Sequence, residues 1–247
     1  MFTTLEIQLE GPVATIWMNR PDLHNAFDET LITELTAACM ALDDDADVRV
    51  VVLAGRGKSF SAGADLNWMK RAANNGLDDN LNDARALAHM LRTLAEMKKP
   101  TIARVQGAAL GGGMGLASAC DIAVASSKAV FATSEVKFGI IPSAISPYVL
   151  RAIGARQATR YFQSAERISA DRAREIGLVH EAVDAEQLDA KVQEIVSALL
   201  LGGPLSQAAA KDLIRAVDGQ IVKVDGSSTV ADSLIRHNSI RSRRGGD

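Results

Sequence analysis

Two cysteines in 247 residues, Cys39 and Cys120, rule out a disulfide framework. Each sits in an apolar context, so both read as buried thiols of a reducing compartment. No apolar run reaches the ~20 residues of a membrane-spanning helix. The opening MFTTLEIQLE alternates from its start and has no basic segment followed by an apolar block, so no secretory leader is visible. Positive charge is not in excess either. The 27 Lys and Arg stand against 30 Asp and Glu, and cluster only at Arg236, Arg241, Arg243 and Arg244. Nucleic acid and membrane surfaces are therefore excluded as general partners, and the expected location is the cytoplasm. Neither a His/Cys/Glu spacing for a metal nor a Ser-His-Asp order with a nucleophile elbow is present. No internal repeat shows.

What is there suffices for one sizeable core: 47% of the residues are hydrophobic. Leu5, Ile7 and Leu9 alternate with polar residues, and Val13 to Met18 follows Gly11-Pro12, as in a hairpin. Asp28 is a good N-cap for a helix with Leu31, Leu35, Cys39 and Leu42 on one face. Val48 to Ala54 is a β-branched run, read as a strand buried on both faces. Arg71 to Asn80 is polar and is read as a mobile loop. Leu81 to Leu94 is an amphipathic helix and Thr101 to Val105 a strand. Beyond Asp121 come two short strands, helices near Tyr148–Ile153 and Ala155–Ser164, and a helix capped by Ser169 and closed by Gly177. A last strand ends at Val183, and helices follow at Glu186–Leu200 and Ser206–Val217. The order predicts an α/β core over residues 1–200 and a helical module over 201–247, its last residues disordered.

Two stretches carry chemistry. In Gly107–Asp121 (GAALGGGMGLASACD) three adjacent glycines precede a segment, Met114–Ala119, suited to a helix. Glycine loses the most backbone entropy on folding, so such a run marks a close approach or a positive φ. Gly112 and Gly113 would lie at a helix N-terminus with free N–H groups, a place for an anion or an oxygen becoming one. No Gly-Lys-Ser/Thr follows, and Leu116 stands where a dinucleotide fingerprint needs its third glycine, so phosphate loops do not match. In Lys58–Met69, Ser61-Ala62-Gly63-Ala64-Asp65-Leu66 again leads from a strand into a helix. Donors at Ala64 and Gly112 could meet one oxygen and form an oxyanion hole. Asp65 reads first as an N-cap for the Leu66 helix.

These motifs, KSFSAGADL, GAALGGGMGLASACD and FATSEVKFGIIP, with the opening NRPDLHNAF, resemble the enoyl-CoA hydratase/isomerase, or crotonase, superfamily from about Leu5 to about Val217. Within it, GADLNWM and IIPSAISPYVLRAIG look most like methylglutaconyl-CoA hydratases of leucine breakdown and their isoprenoid-degrading relatives. The resemblance implies a spiral of ββα units with a helical C-terminal trimerisation module, as homotrimers or hexamers. It implies an acyl-CoA thioester as substrate and no separate cofactor, coenzyme A being part of that substrate. The family's oxyanion donors fall on the N–H groups of Ala64 and Gly112, and its catalytic carboxylate on Glu135. Coenzyme A would bend around His24 to Ala26 and Ala62 to Leu66, so His24, Ala26, Ala62, Asp65, Leu66 and Gly112 are the substrate-binding candidates. Alone, Glu135 reads as a paired surface glutamate; in register with the two donor loops, catalysis ranks ahead.

The chain departs from the family pattern twice. Hydratases of the family carry a first glutamate directly after GGG-x, where this chain has Gly115. The expectation is that Gly115 leaves room for water beside Glu135. The terminus DSLIRHNSIRSRRGGD lacks the usual aromatic and basic coenzyme contact, and the tail beyond Ser227 is expected to be poorly anchored. The leading reading is hydration of a branched or carboxylated 2-enoyl-CoA. A Δ3,Δ2-enoyl-CoA isomerase with a single glutamate stands second, and an acyl-CoA-binding protein without turnover third. Trp17 is expected in the core, Trp68 in the pocket wall, and His89 and His180 in structural roles.

Overall fold

The computed structural model describes residues 2–72 and 74–218, so the tail beyond Ser227 lies outside the described residues. The chain divides into two compact units, Met1–Leu200 and Leu201–Asp247. The first opens with β1 (Leu5–Glu10) and β2 (Val13–Met18), paired antiparallel with Glu10 opposite Val13. Gly11 takes φ 57°, the positive value that a two-residue hairpin connection places on its first residue. Asp28 then caps α1 (Glu29–Asp44) by accepting from the Leu31 N–H at 2.9 Å.

The central strand β3 (Val50–Gly55) runs parallel to β2 on one side and to β4 (Thr101–Val105) on the other. Between β3 and β4 come α2 (Leu66–Ala72) and α3 (Leu77–Glu96). This corrects the expected loop from Arg71 to Asn80. Arg71 and Ala72 end α2 and Leu77 to Asn80 begin α3. Gly76 is extended at the N-cap, and Asp78 and Asp79 occupy the first turn, where negative charge suits the helix dipole. The segment is polar because it forms the solvent side of a helix, not because it lacks one.

After β4, the short β5 (Ala108–Leu110) leaves the main sheet and delivers the chain into α4 (Gly112–Ala119). The strands β6 (Ile122–Ser126) and β7 (Val130–Ala132) follow, then α5 (Ser146–Ser164). Within α5, Gly154 has φ 71° and kinks the helix at the join between the two helices expected there. The strand β8 (Ile168–Ser169), α6 (Ala170–Glu175), β9 (Glu181–Val183) and α7 (Leu188–Leu200) complete the unit. Ser169 caps α6 and Gly177, at φ 82°, lies just beyond it.

One sheet has the order β1-β2-β3-β4-β6-β9, parallel from β2 onward; β5, β7 and β8 form a second. Residues of β3 alternate between two hydrophobic clusters. Val51 and Leu53 pack with the buried residues of α1, α3 and α4, whereas Val50 and Val52 join Val13, Ile102 and Val124 against Leu188, Val192 and Val196 of α7. The strand is thus buried on both faces, as its composition implies. Trp17 is not a core residue. It shares strand parity with Val13, lies only partly buried under the guanidinium of Arg56 (4.0 Å), and donates its indole N–H to Gln8 Oε1. Cys39 and Cys120 are both buried thiols, and burial pushes the Cys39 thiol up to about 12. His180 accepts the Ala123 N–H through Nδ1 and so joins the end of β6, a structural contact.

In the second unit, α8 (Pro204–Val217) begins with Pro204 in its first turn and keeps Leu205, Leu213 and Ile214 exposed. No helix among the described residues is long and apolar enough to cross a membrane.

Candidate active site

The site is built from three segments that the fold brings to one cavity. The first is the turn after β2. His24 and Asn25 both have left-handed backbone (φ 50° and 53°), a conformation Asn and His adopt more readily than most. Asn25 is fully buried and holds the turn through both ends of its amide. Its Oδ1 accepts the Arg20 N–H, and its Nδ2 donates to the carbonyls of Arg56 and Ser59. His24 Nδ1 lies 3.0 Å from Ser59 Oγ. The turn sets Phe27 beside the second segment, where the Phe27 N–H donates to Gly63 O at 2.7 Å and the Asp65 N–H to Phe27 O at 2.8 Å.

That bridge aims Ala64. In a trans peptide the N–H points opposite to the C=O of the same plane. Gly63 O faces Phe27, so the Ala64 N–H faces away from it. Among the described residues the Ala64 N–H finds no acceptor.

The third segment is the glycine run. The Ser61 N–H donates to Ala108 O and the Leu110 N–H to Ser61 O, which zips the second segment onto β5. The chain then turns at Gly111, with φ 50°, into α4. Gly112 is the first helical residue, so its N–H has no carbonyl within the helix and finds none elsewhere among the described residues. A Cβ on Gly112 would stand 2.1 Å from Phe27 Cε2, and one on Gly113 would stand 2.3 Å from Ser61 O. The glycines are therefore there for close approach. A Cβ on Gly63 would lie 3.5 Å from the Gly112 nitrogen, so the two donor loops abut.

Glu135 opens a 3₁₀ turn (Glu135–Phe138) closed by Gly139 at φ 74°. Its Oε1 is 3.2 Å from the position a Cβ would take on Gly111, and its Oε2 is buried without a hydrogen-bond partner. Burial raises its pKa above the ordinary glutamate value. One cavity of about 1080 Å³ is lined by His24, Ala26, Ala62, Ala64, Asp65, Leu66, Gly112 and Glu135 together. Asp65 is committed elsewhere: its Oδ1 accepts from the N–H groups of Asn67 and Trp68, and its Oδ2 lies 3.3 Å from Arg20 Nη2. It caps α2. Among the described residues no group of three metal-ligating side chains occurs. Two free N–H donors and a carboxylate oxygen without a partner, lining one cavity, can stabilise an oxygen that gains charge while a proton moves nearby.

The enoyl-CoA hydratase/isomerase family model matches residues 8–242. The chain belongs to that family. An enoyl-CoA hydratase from Shewanella pealeana superposes over 100% of this chain and 90% of its own, at TM-score 0.90 and 38% identity. The short-chain-enoyl-CoA hydratase of Clostridium acetobutylicum is 35% identical over 85% of this chain and 80% of its own length. A 4-chlorobenzoyl coenzyme A dehalogenase from Arthrobacter is 32% identical over 94% and 82%. The fold is thus the crotonase-like α/β fold, and the family's range extends past hydration.

Glu135 faces the space of the cavity, but Gly115 is not among the residues that line it. A Cβ at Gly115 would instead meet the side chain of Ile145, 2.3 Å from its Cγ2 and 2.8 Å from its Cβ. The buried Ile145, also part of the cavity lining, fills the place that a side chain at position 115 would need. Gly115→Glu alone is expected to lower the melting temperature by several degrees, through overpacking of about 1–3 kcal/mol. Adding Ile145→Ala should recover at least half of that loss; thermal melts of the single and double variants decide it.

Sequence reasoning missed Phe27, Arg20 and Ile145. Phe27 and Arg20 both stand in the NRPDLHNAF motif, but its only residues singled out from sequence are His24 to Ala26, as coenzyme A contacts. Ile145 carries no local signal, because its contact with Gly115 spans 30 positions.

Proposed function

We propose that the protein is an enoyl-CoA hydratase, adding water across the double bond of a 2-enoyl-CoA thioester. One observation carries the reading: the unsatisfied N–H groups of Ala64 and Gly112 and the unpartnered Oε2 of Glu135 belong to the same cavity. The thioester oxygen accepts from Ala64 and Gly112. Ionised Glu135 takes a proton from water as the water oxygen bonds to Cβ. The π electrons move through Cα to the thioester oxygen, which becomes an enolate held by the two donors. The carboxylic acid then returns its proton to Cα, the enolate collapses, and Glu135 is again a carboxylate. Atoms balance with one glutamate cycling, and coenzyme A, part of the substrate, is the only cofactor chemistry required.

Burial tunes Glu135 for this cycle, since a raised pKa makes its carboxylate a stronger base toward water than an ordinary glutamate. Because the reaction starts from the carboxylate, kcat should fall as pH drops through the raised value. The acid limb should therefore lie above the range of an ordinary glutamate. A limb at the ordinary value would show that burial is lost when substrate binds. The direct test uses crotonyl-CoA in H₂¹⁸O. Label at Cβ of the product, at a rate proportional to enzyme, supports hydration.

For the acyl group we favour a branched or carboxylated chain of the methylglutaconyl-CoA kind. The motifs GADLNWM and IIPSAISPYV support it, as does the buried indole N–H of Trp68, a donor without an acceptor in a residue of the cavity wall. Trimers or hexamers belong to the same proposal, supported by the exposed Leu205, Leu213 and Ile214 of α8. The isomerase reading has one observation in its favour. With Ile145 packed on Gly115, no second carboxylate can enter from that position, and a single base suffices to move a double bond. Conversion of a 3-enoyl-CoA without ¹⁸O uptake from its 2-enoyl counterpart would decide for it.

A further inference from the structure

We propose that Arg20 is a positioning residue that clamps the Phe27–Ala64 bridge and so keeps the Ala64 N–H aimed at the thioester oxygen. The proposal rests on the reading of Ala64 given above. Arg20 belongs to the turn after β2, and its side chain is only 15% exposed. Its guanidinium makes three contacts. Nη1 donates to Ala26 O at 2.5 Å, while Nη2 lies 2.9 Å from Asp28 Oδ2 and 3.3 Å from Asp65 Oδ2.

The positions of these acceptors are what matters. Ala26 and Asp28 flank Phe27 on either side, and Asp65 directly follows Ala64. One planar fork therefore grips both partners of the bridge, next to the residues that pair. The backbone of Arg20 is fixed in turn, its N–H donating to the buried Asn25 at 2.9 Å. Phe27 is the joint of the whole site. Its backbone sets the peptide plane that carries the Ala64 N–H, and its ring is the surface on which Gly112 rests. A shift of Phe27 against residues 63–65 would move one donor relative to the other, and a misplacement of about 1 Å can cost about 10²-fold in rate.

Of the three contacts, only the one to Asp65 crosses from the first segment to the second; those to Ala26 and Asp28 stay within the first. This asymmetry supplies the test. Asn is nearly as good an N-cap as Asp. Asp65→Asn and Asp28→Asn therefore each remove one charged contact to Arg20 while leaving a capped helix, and both should fold with modestly lower melting temperatures. Arg20→Lys keeps the charge without the fork.

Two readouts apply: kcat and KM with crotonyl-CoA, and the infrared carbonyl stretch of bound [1-¹³C]butyryl-CoA, a saturated thioester that cannot be hydrated. In the parent the stretch should be shifted down by the two donors. In Asp65→Asn and Arg20→Lys the downshift should shrink and kcat fall about ten- to a hundredfold, with KM changing about threefold at most. Asp28→Asn should keep the downshift and stay within about threefold of the parent kcat. If Asp65→Asn and Arg20→Lys keep the parental downshift and kcat, the clamp is overturned. The same holds if Asp28→Asn matches their loss. A parent without any downshift overturns the oxyanion reading itself, and the clamp with it.

Discussion

Glu135→Gln is expected to lower turnover by a factor of about 10²–10⁴, the range for removing a general acid–base. Glutamine keeps the shape and the reach of the side chain but cannot cycle a proton at neutral pH. Affinity for a saturated acyl-CoA should change little, because the two donors and the cavity walls are untouched. The same variant should be more stable than the parent. The folded-state pKa of Glu135 is raised by burial, so below the ordinary glutamate value the carboxyl is protonated in both states and contributes no penalty. As pH rises from there through the folded pKa, the folded state must bury a charge that the unfolded state leaves in water. Stability is lost across that window and stays lost at neutral pH. The neutral amide avoids the loss, so a higher melting temperature than the parent's is expected at pH 7.5, the difference fading toward pH 4. Near-parental turnover would remove Glu135 from the mechanism. A drop in melting temperature would show that its carboxylate is paired after all.

Gly112→Ala is expected to add a methyl group for which the site has no room. The substitution keeps the N–H, so any effect is geometric. The new Cβ would lie 2.1 Å from Phe27 Cε2, while the ring is fully buried and its backbone is locked to Gly63 and Asp65. Neither side can yield without moving a donor. Overpacking of about 1–3 kcal/mol is expected, with kcat reduced about 10²–10³-fold, as when an oxyanion donor is removed. Phe27→Leu in the same chain would relieve the clash. A double-mutant cycle should therefore show positive coupling in stability, the pair being less destabilised than the sum of the singles. Parental kcat and melting temperature in Gly112→Ala would mean that α4 does not rest on Phe27.

Much of the fold was legible because short-range chemistry decided it. Asp28 and Ser169 cap the helices they precede, Gly154 breaks α5, and Thr101–Val105 is a strand with the expected bounds. The polar stretch before Leu81 misled for an equally local reason. Exposed helix and loop share a composition, and only the extended Gly76 followed by two aspartates distinguishes them. Trp17 misled because strand parity tells which residues share a face but not what covers that face.

The glycine run, GADL and Glu135 could be picked out along the chain, since glycine where nothing larger fits and a carboxylate in a fixed motif are marks that sequence carries. Sequence alone thus determined the family, the order of elements and the identity of the groups that bear the chemistry. The aim of those groups was decided only in three dimensions. The Ala64 N–H faces away from Phe27 because a carbonyl one residue earlier bonds to a residue 36 positions upstream. Oε2 of Glu135 has no partner, and the carboxyl is perturbed because of what buries it. The space beside Gly115 is absent because Ile145 fills it. A direction, a burial and a filled volume each depend on atoms from segments distant in the chain, and no local pattern records where those segments meet.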